Sequence, residues 1–185
     1  MKITGNKSLL WWIRYPLGIY IAGFGAASLW ILGLLVFYFF TGETNRFISS
    51  GAAENAAHGN IHHTVQFQYP FSSMVLNTED SAKGILLAFL GVVSINFILI
   101  TVFRIILELS RDHFFTGKAV RNFKILGFGL LSFGITHTLI NLLISPQQPD
   151  LAEPFIFIIT GFIFILLKEI FLKGKNMQDE SDLVI

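Results

Sequence analysis

The sequence contains no cysteine. Disulfides, a thiolate nucleophile, iron–sulfur ligation and lipid attachment through Cys are therefore excluded. Charge is the second scarcity. Asp, Glu, Lys and Arg make up 14% of the 185 residues, against about a quarter in a typical soluble domain. Recognisable catalytic signatures are the third. There is no Walker motif, H-E-x-x-H, G-x-S-x-G or serine–lysine pair in a membrane setting, and no carboxylate lies at membrane depth. An enzyme is not expected, nor a resident metal or other cofactor.

Apolar residues are abundant: 53% of the chain, including 20 phenylalanines. A soluble protein of this size would be left with apolar surface it has no means to cover. In a bilayer such side chains face the acyl chains instead. A crossing helix needs about 20 mainly apolar residues for about 30 Å of hydrocarbon. Four segments meet this, at about Leu17–Phe40, Gly84–Phe103, Ile125–Ser145 and Pro154–Leu172. The first exceeds the apolar core of a signal peptide and has no small-residue cleavage site after it, so it reads as an uncleaved anchor. The expected fold is a single all-α membrane domain, a four-transmembrane-helix bundle.

Eleven of the thirteen Lys and Arg residues fall on one side of these spans: Lys2, Lys7, Arg14, Arg104, Arg111, Lys118, Arg121, Lys124, Lys168, Lys173 and Lys175. The other side has Arg46 and Lys83 with Glu43, Glu54, Glu79, Asp80, Asp150 and Glu153. The positive-inside rule then puts both ends in the cytoplasm. A bacterial inner membrane is the expected location. Trp11, Trp12, Tyr15, Tyr38, Phe114 and Phe115 sit at the boundaries, where amphipathic rings anchor.

The outer loop, Thr41–Lys83, divides in two. Ser49–Ala53 is small and reads as weakly structured. Thr64–Phe71 alternates Val65, Phe67 and Tyr69 with Gln66, Gln68 and Pro70, a strand period. Ser72 and Ser73 turn it, and Met74, Val75 and Leu76 return. A short extracytoplasmic hairpin is expected, resting on the bundle because two strands alone are marginal. On the opposite side, helix two should continue through Leu109, with a turn near Thr116-Gly117 opening helix three. The tail, Lys173–Ile185, is polar.

Few residues carry chemistry. His58, His62 and His63 form a cluster in the outer loop, but Gly59 and Asn60 argue against the helix that would align them as ligands; they read as structural or solvated. The candidate intramembrane polar site is Asn96, His137 and Asn141. His137 and Asn141 are four apart on one helix face, and an ionisable group at membrane depth is a functional candidate. The competing reading is interhelical hydrogen-bond glue, worth about 0.6 kcal/mol on average. Gly18, Ala22 and Ala26 make a small-residue ladder, for an internal contact or a homo-oligomer face.

Two stretches carry a resemblance. One is Phe115-Thr116-Gly117-Lys118-Ala119-Val120-Arg121-Asn122-Phe123-Lys124. The other runs from Leu167 to Ile185, with Glu169, Phe171, Gly174, Glu180, Asp182 and Leu183 in pattern. With four spans in under 200 residues, the chain resembles the bacterial membrane family catalogued as domain of unknown function 2975. Ser181 stands where that family often has glutamine, Val184 where it often has threonine, and Thr116-Gly117-Lys118 departs from the usual order. The resemblance implies no catalytic activity. It implies a neighbouring helix-turn-helix regulator as a partner, a small DNA-binding protein met at the cytoplasmic connection or tail. Direct nucleic-acid binding is not expected. The candidate partner surface is Phe114, Phe115, Lys118, Arg121 and Asn122 with Glu180, Asp182 and Leu183. The residues reveal no definite activity; the first reading is a non-enzymatic membrane module that senses something and holds or releases a cytoplasmic regulator. Its alternative, from the polar face of span three and Gly127, Gly129 and Gly134, is a small oligomeric transporter, channel or lipid-binding protein.

Overall fold

A computed structural model describes residues 9–54, 61–110, 115–144 and 150–182. Four helices and a small sheet follow in the order α1 (Leu9–Thr41), β1 (Ile48–Glu54), β2 (Ile61–Gln68), β3 (Val75–Glu79), α2 (Ala82–Leu109), α3 (Gly117–Ile144) and α4 (Ala152–Asp182). All four helices are long and apolar enough to cross a bilayer, and the chain is a multi-pass membrane protein. Large apolar side chains on every helix face outward, among them Ile19, Leu29, Leu143, Phe162 and Leu166. In lipid such exposure carries no hydrophobic cost.

Local chemistry sets the ends. Gly42, at φ 65°, takes the left-handed conformation that ends α1. Ser81 caps α2 by accepting a hydrogen bond from the Gly84 N–H at 3.0 Å. Thr116 does the same for α3, accepting from the Ala119 N–H at 3.1 Å. The expected turn at Thr116-Gly117 and the continuation of helix two to Leu109 are both present.

α1 packs on α2, α2 on α3 and α3 on α4, and the last contact is the most extensive. The helix-three glycines are packing positions. Gly127 lies against Gly161 and Ile165, Gly129 against the Phe97 ring, and Gly134 against Pro154 and Ile158. A buried cluster of Ile105, Phe123, Leu126 and Leu130, flanked by Phe97, Phe164 and Phe171, joins α2, α3 and α4. In the α1 ladder, Gly18 faces Phe103 of α2, while Ala22 and Ala26 are exposed.

The sheet differs from the expected hairpin. It has three antiparallel strands in the order β1-β2-β3. The segment read as weakly structured, Ser49–Ala53, is most of β1, paired from Ile48↔Phe67 to Glu54↔Ile61. Its small residues have little strand propensity of their own. Pairing is imposed by β2, whose Val65 and Phe67 are fully buried under α1 and α2 with Ile31, Leu35, Tyr38, Ile48, Ile85 and Val92. Strand propensity is largely a property of such packing. β2 and β3 pair from Thr64↔Glu79 to Gln68↔Val75, so the return strand lies where the alternation placed it. The Tyr38 hydroxyl donates to Asp80 at 2.9 Å and ties the sheet to α1.

α4 continues through the polar segment after Leu172 to Asp182. Nothing in it breaks a helix, Lys175 and Asp179 pair at i,i+4 (3.8 Å), and Gly174 is covered by the Phe115 ring. The sheet thus caps one end of the helices, and most basic residues among those described lie toward the other. There Arg14 stacks over Trp11 and Tyr15, 4.6 and 4.7 Å from their ring centres.

Candidate functional site

α3 is buried on the face that carries Asn122, Leu126, Leu130, Gly134, His137 and Asn141. Two of its polar residues end up where α3 meets the start of α4. The Asn141 amide nitrogen donates to the Asp150 carbonyl at 2.9 Å, which fixes the amide's orientation. The same nitrogen lies 3.4 Å from His137 Nδ1. His137 Nε2 lies 3.3 Å from a Glu153 carboxylate oxygen. These contacts agree on one tautomer. Nδ1 accepts from Asn141, and the ring proton sits on Nε2, aimed at Glu153. His137 is 5% exposed and Glu153 70%, so the pair joins a buried ring to a carboxylate at the rim. Asn141 is 1% exposed, and its Oδ1 has no hydrogen-bond partner among the described residues.

This network opens on a cleft of about 800 Å³ between the sheet and all four helices. Its polar lining includes Asn77, Thr78, Glu79, Lys83, Asp150 and Glu153; its apolar lining includes Phe24, Leu87, Val92, Ile95, Ile156 and Phe157. Tyr69 also lines it, and burial pushes its phenol up from the usual range, so it remains a neutral hydroxyl. The space is within the range of small-molecule sites, and its apolar walls with few polar groups match their usual lining.

Asn96 is elsewhere. Its side chain donates to the Val92 carbonyl at 2.8 Å, and its oxygen faces Gly25 across the α1–α2 contact. The structure brings together two of the three candidate polar residues, His137 and Asn141. It adds Glu153, Asp150, Glu79 and Lys83, which sequence reasoning used only to orient the chain. One signal for Glu153 was available: Pro154 marks a first helical turn, and a short connection holds that turn beside the end of span three. His62 and His63 lie in β2, and His58 is outside the described residues. Among the described residues no group of three or more His, Asp or Glu is placed to hold a metal.

The profile of the family described as protein of unknown function (DUF2975) matches residues 12–185. The chain belongs to this family. No curated protein and no solved structure matches it. Within this DUF2975 chain the second candidate surface, at the basic end, is less open than its residue types suggest. Phe115 packs edge-on against Phe171 at 5.4 Å, and Asn122 is 7% exposed. Lys118, Arg121 and Glu180 are exposed. Asp182 is the last residue of α4; Phe114 and Leu183 are outside the described residues.

Proposed function

We propose that this DUF2975 protein is a non-enzymatic, multi-pass sensor of the bacterial inner membrane, with both ends cytoplasmic, that binds a small amphipathic molecule in the cleft. The observation that carries this reading is the cleft itself. It combines apolar walls with the buried His137–Asn141 pair, linked to the exposed Glu153 carboxylate, at one end. A buried polar network that only joined two helices would not need an open space beside it. The output lies at the opposite end, where α3 and α4 present Lys118, Arg121 and Glu180 to a cytoplasmic partner, a small DNA-binding regulator. The concentration of basic residues there supports the orientation.

Because the chain has no cysteine, every introduced cysteine is a unique reporter. S73C, at the sheet end, should react with a membrane-impermeant maleimide in intact cells, and S181C only after permeabilisation. The reverse pattern overturns the orientation. Capture of the regulator by the full chain, lost on truncation after Lys175, is the expected result for the partner. Equal capture by both forms removes the contact from the end of α4.

The second reading, a small oligomeric transporter or channel, draws on the same cleft, which all four helices line. It predicts flux through reconstituted vesicles that falls when His137→Ala or Asn141→Ala is introduced, and unchanged flux in both variants ends it.

A further inference from the structure

Asn141 supplies the starting point. Its nitrogen is committed to Asp150 and His137, so rotation of the amide cannot serve its oxygen. That leaves a buried acceptor on the wall of the cleft with no donor among the described residues. A buried acceptor without a donor is costly, and here it belongs to a residue that lines a space able to hold a ligand. What the oxygen requires is an N–H or O–H group.

The charges around it narrow the choice. Glu79, Asp150 and Glu153 line the cleft with a single lysine, Lys83. Three carboxylates against one ammonium, beside walls of low dielectric, favour a cation. His137 adds none of the donors a phosphate would need, because its Nε2 proton is directed at Glu153. The apolar walls, reaching from Phe24 on α1 to Phe157 on α4, suit an acyl or alkyl tail.

We infer that the cleft binds a primary ammonium head joined to an apolar tail, its N–H groups shared between Asn141 Oδ1 and the Glu153 carboxylate. This rests on the ligand-binding reading of the cleft and specifies its ligand. Two sources share the chemistry: the ethanolamine head of a phospholipid, whose phosphate would then meet Lys83, and a free long-chain amine. A choline head carries the same charge without an N–H, so it separates hydrogen bonding from charge alone.

The test uses the purified full-length chain in micelles. It is titrated with dioctanoyl phosphatidylethanolamine, dioctanoyl phosphatidylcholine and octylammonium, with bound stoichiometry followed by native mass spectrometry. The ethanolamine lipid or octylammonium should bind about ten-fold or more tightly than the choline lipid. Preference for the ethanolamine lipid identifies the source as a lipid head, and preference for octylammonium a free amine. Glu153→Gln, at an exposed rim position, and Asn141→Leu should each weaken that binding by about ten- to a hundred-fold and erase the preference over choline. Glu153→Gln is the decisive variant should Asn141→Leu fail to fold. Gly91→Trp fills the cleft from a position where a Cβ meets nothing within 4 Å, and should abolish all binding. Equal affinity for the two lipids, lost in Gly91→Trp, overturns the head-group inference and leaves the ligand-binding reading standing. Binding that Gly91→Trp does not affect, or no binding of any probe, overturns both.

Discussion

Gly161→Ala measures how tightly α3 and α4 are joined. A Cβ at Gly161 would lie 2.9 Å from the Gly127 carbonyl oxygen and 3.0 Å from Leu131 Cγ, where ordinary contact begins at 3.4 Å. The oxygen belongs to the backbone of α3 and cannot swing away, so the helices must part by roughly half an ångström. A gap of that size already forfeits about a quarter of the dispersion energy of the atoms facing it. Overpacking of this kind costs about 1–3 kcal/mol. Alanine's better helix propensity returns about 1 kcal/mol, leaving a net loss of about 0–2 kcal/mol. Gly33→Ala is the control, since a Cβ there meets nothing within 4 Å; it should be neutral or stabilised by up to about 1 kcal/mol. Thermal and SDS-titrated unfolding in micelles would read both. Gly127→Ala adds a coupling test, because its Cβ would meet Gly161 O at 3.0 Å and Ile165. Once one alanine has parted the helices, the second should cost less, and the double variant should fall short of the sum by about 0.5 kcal/mol or more. If Gly161→Ala is as stable as Gly33→Ala, or the two substitutions add strictly, the close backbone contact is not what holds α3 to α4.

Three further outcomes are expected. Phe67→Ala empties a fully buried site beneath the sheet and should cost about 3–5 kcal/mol, with limited proteolysis between Thr41 and Ser81 accelerating before the helices unfold; protection equal to wild type would show that the sheet does not depend on this core. Gly84→Ala places a Cβ 2.4 Å from the Glu79 carbonyl oxygen and 2.9 Å from Thr78 Oγ1. It should destabilise the β3–α2 corner by about 1–3 kcal/mol, seen as a lower melting temperature. Tyr38→Phe removes the hydroxyl bonded to Asp80 and should cost about 0.5–1.5 kcal/mol, at the low end because Asp80 is exposed; amide exchange at Asp80 and Ser81 would show the corner loosening.

The helices were legible because lipid imposes length and apolarity on a crossing segment, and those constraints act locally. The return strand from Met74 was legible for a similar reason: one face of β2–β3 is buried, and burial writes a period of two into the sequence. β1 was not, because its contribution is backbone pairing and Ser49–Ala53 carries almost no side-chain pattern. The site divides the same way. His137 and Asn141 stood out as polar residues in an apolar span, and their shared face followed from their spacing. Glu153 did not stand out, since a carboxylate at a span boundary is ordinary until a neighbouring helix brings a histidine within reach. Asn96 has the same composition signal as Asn141 and a different fate. It bonds its own helix and faces Gly25, and no local pattern separates the two.

The packing also constrains how the proposed sensor would work. α1 and α2 share a buried core with the sheet, and α3 and α4 meet backbone to backbone at Gly127 and Gly161. The α1–α2 and α3–α4 pairs are joined where α2 packs on α3 through the cluster of Ile105, Phe123, Leu126 and Leu130. The cleft straddles that seam, with Lys83 and Val92 on the α2 side and His137, Asn141 and Glu153 on the α3–α4 side. A ligand shifts a conformational equilibrium only by binding one arrangement better than another. A molecule touching both pairs does so if the angle between them differs between states; one touching a single pair does not. At the far end a change in that angle would move α3 and α4 together, because Phe115 is held against Phe171 and Gly174. The signal to a cytoplasmic partner would then be the displacement of Lys118, Arg121 and Glu180 as one body relative to Arg104 on α2.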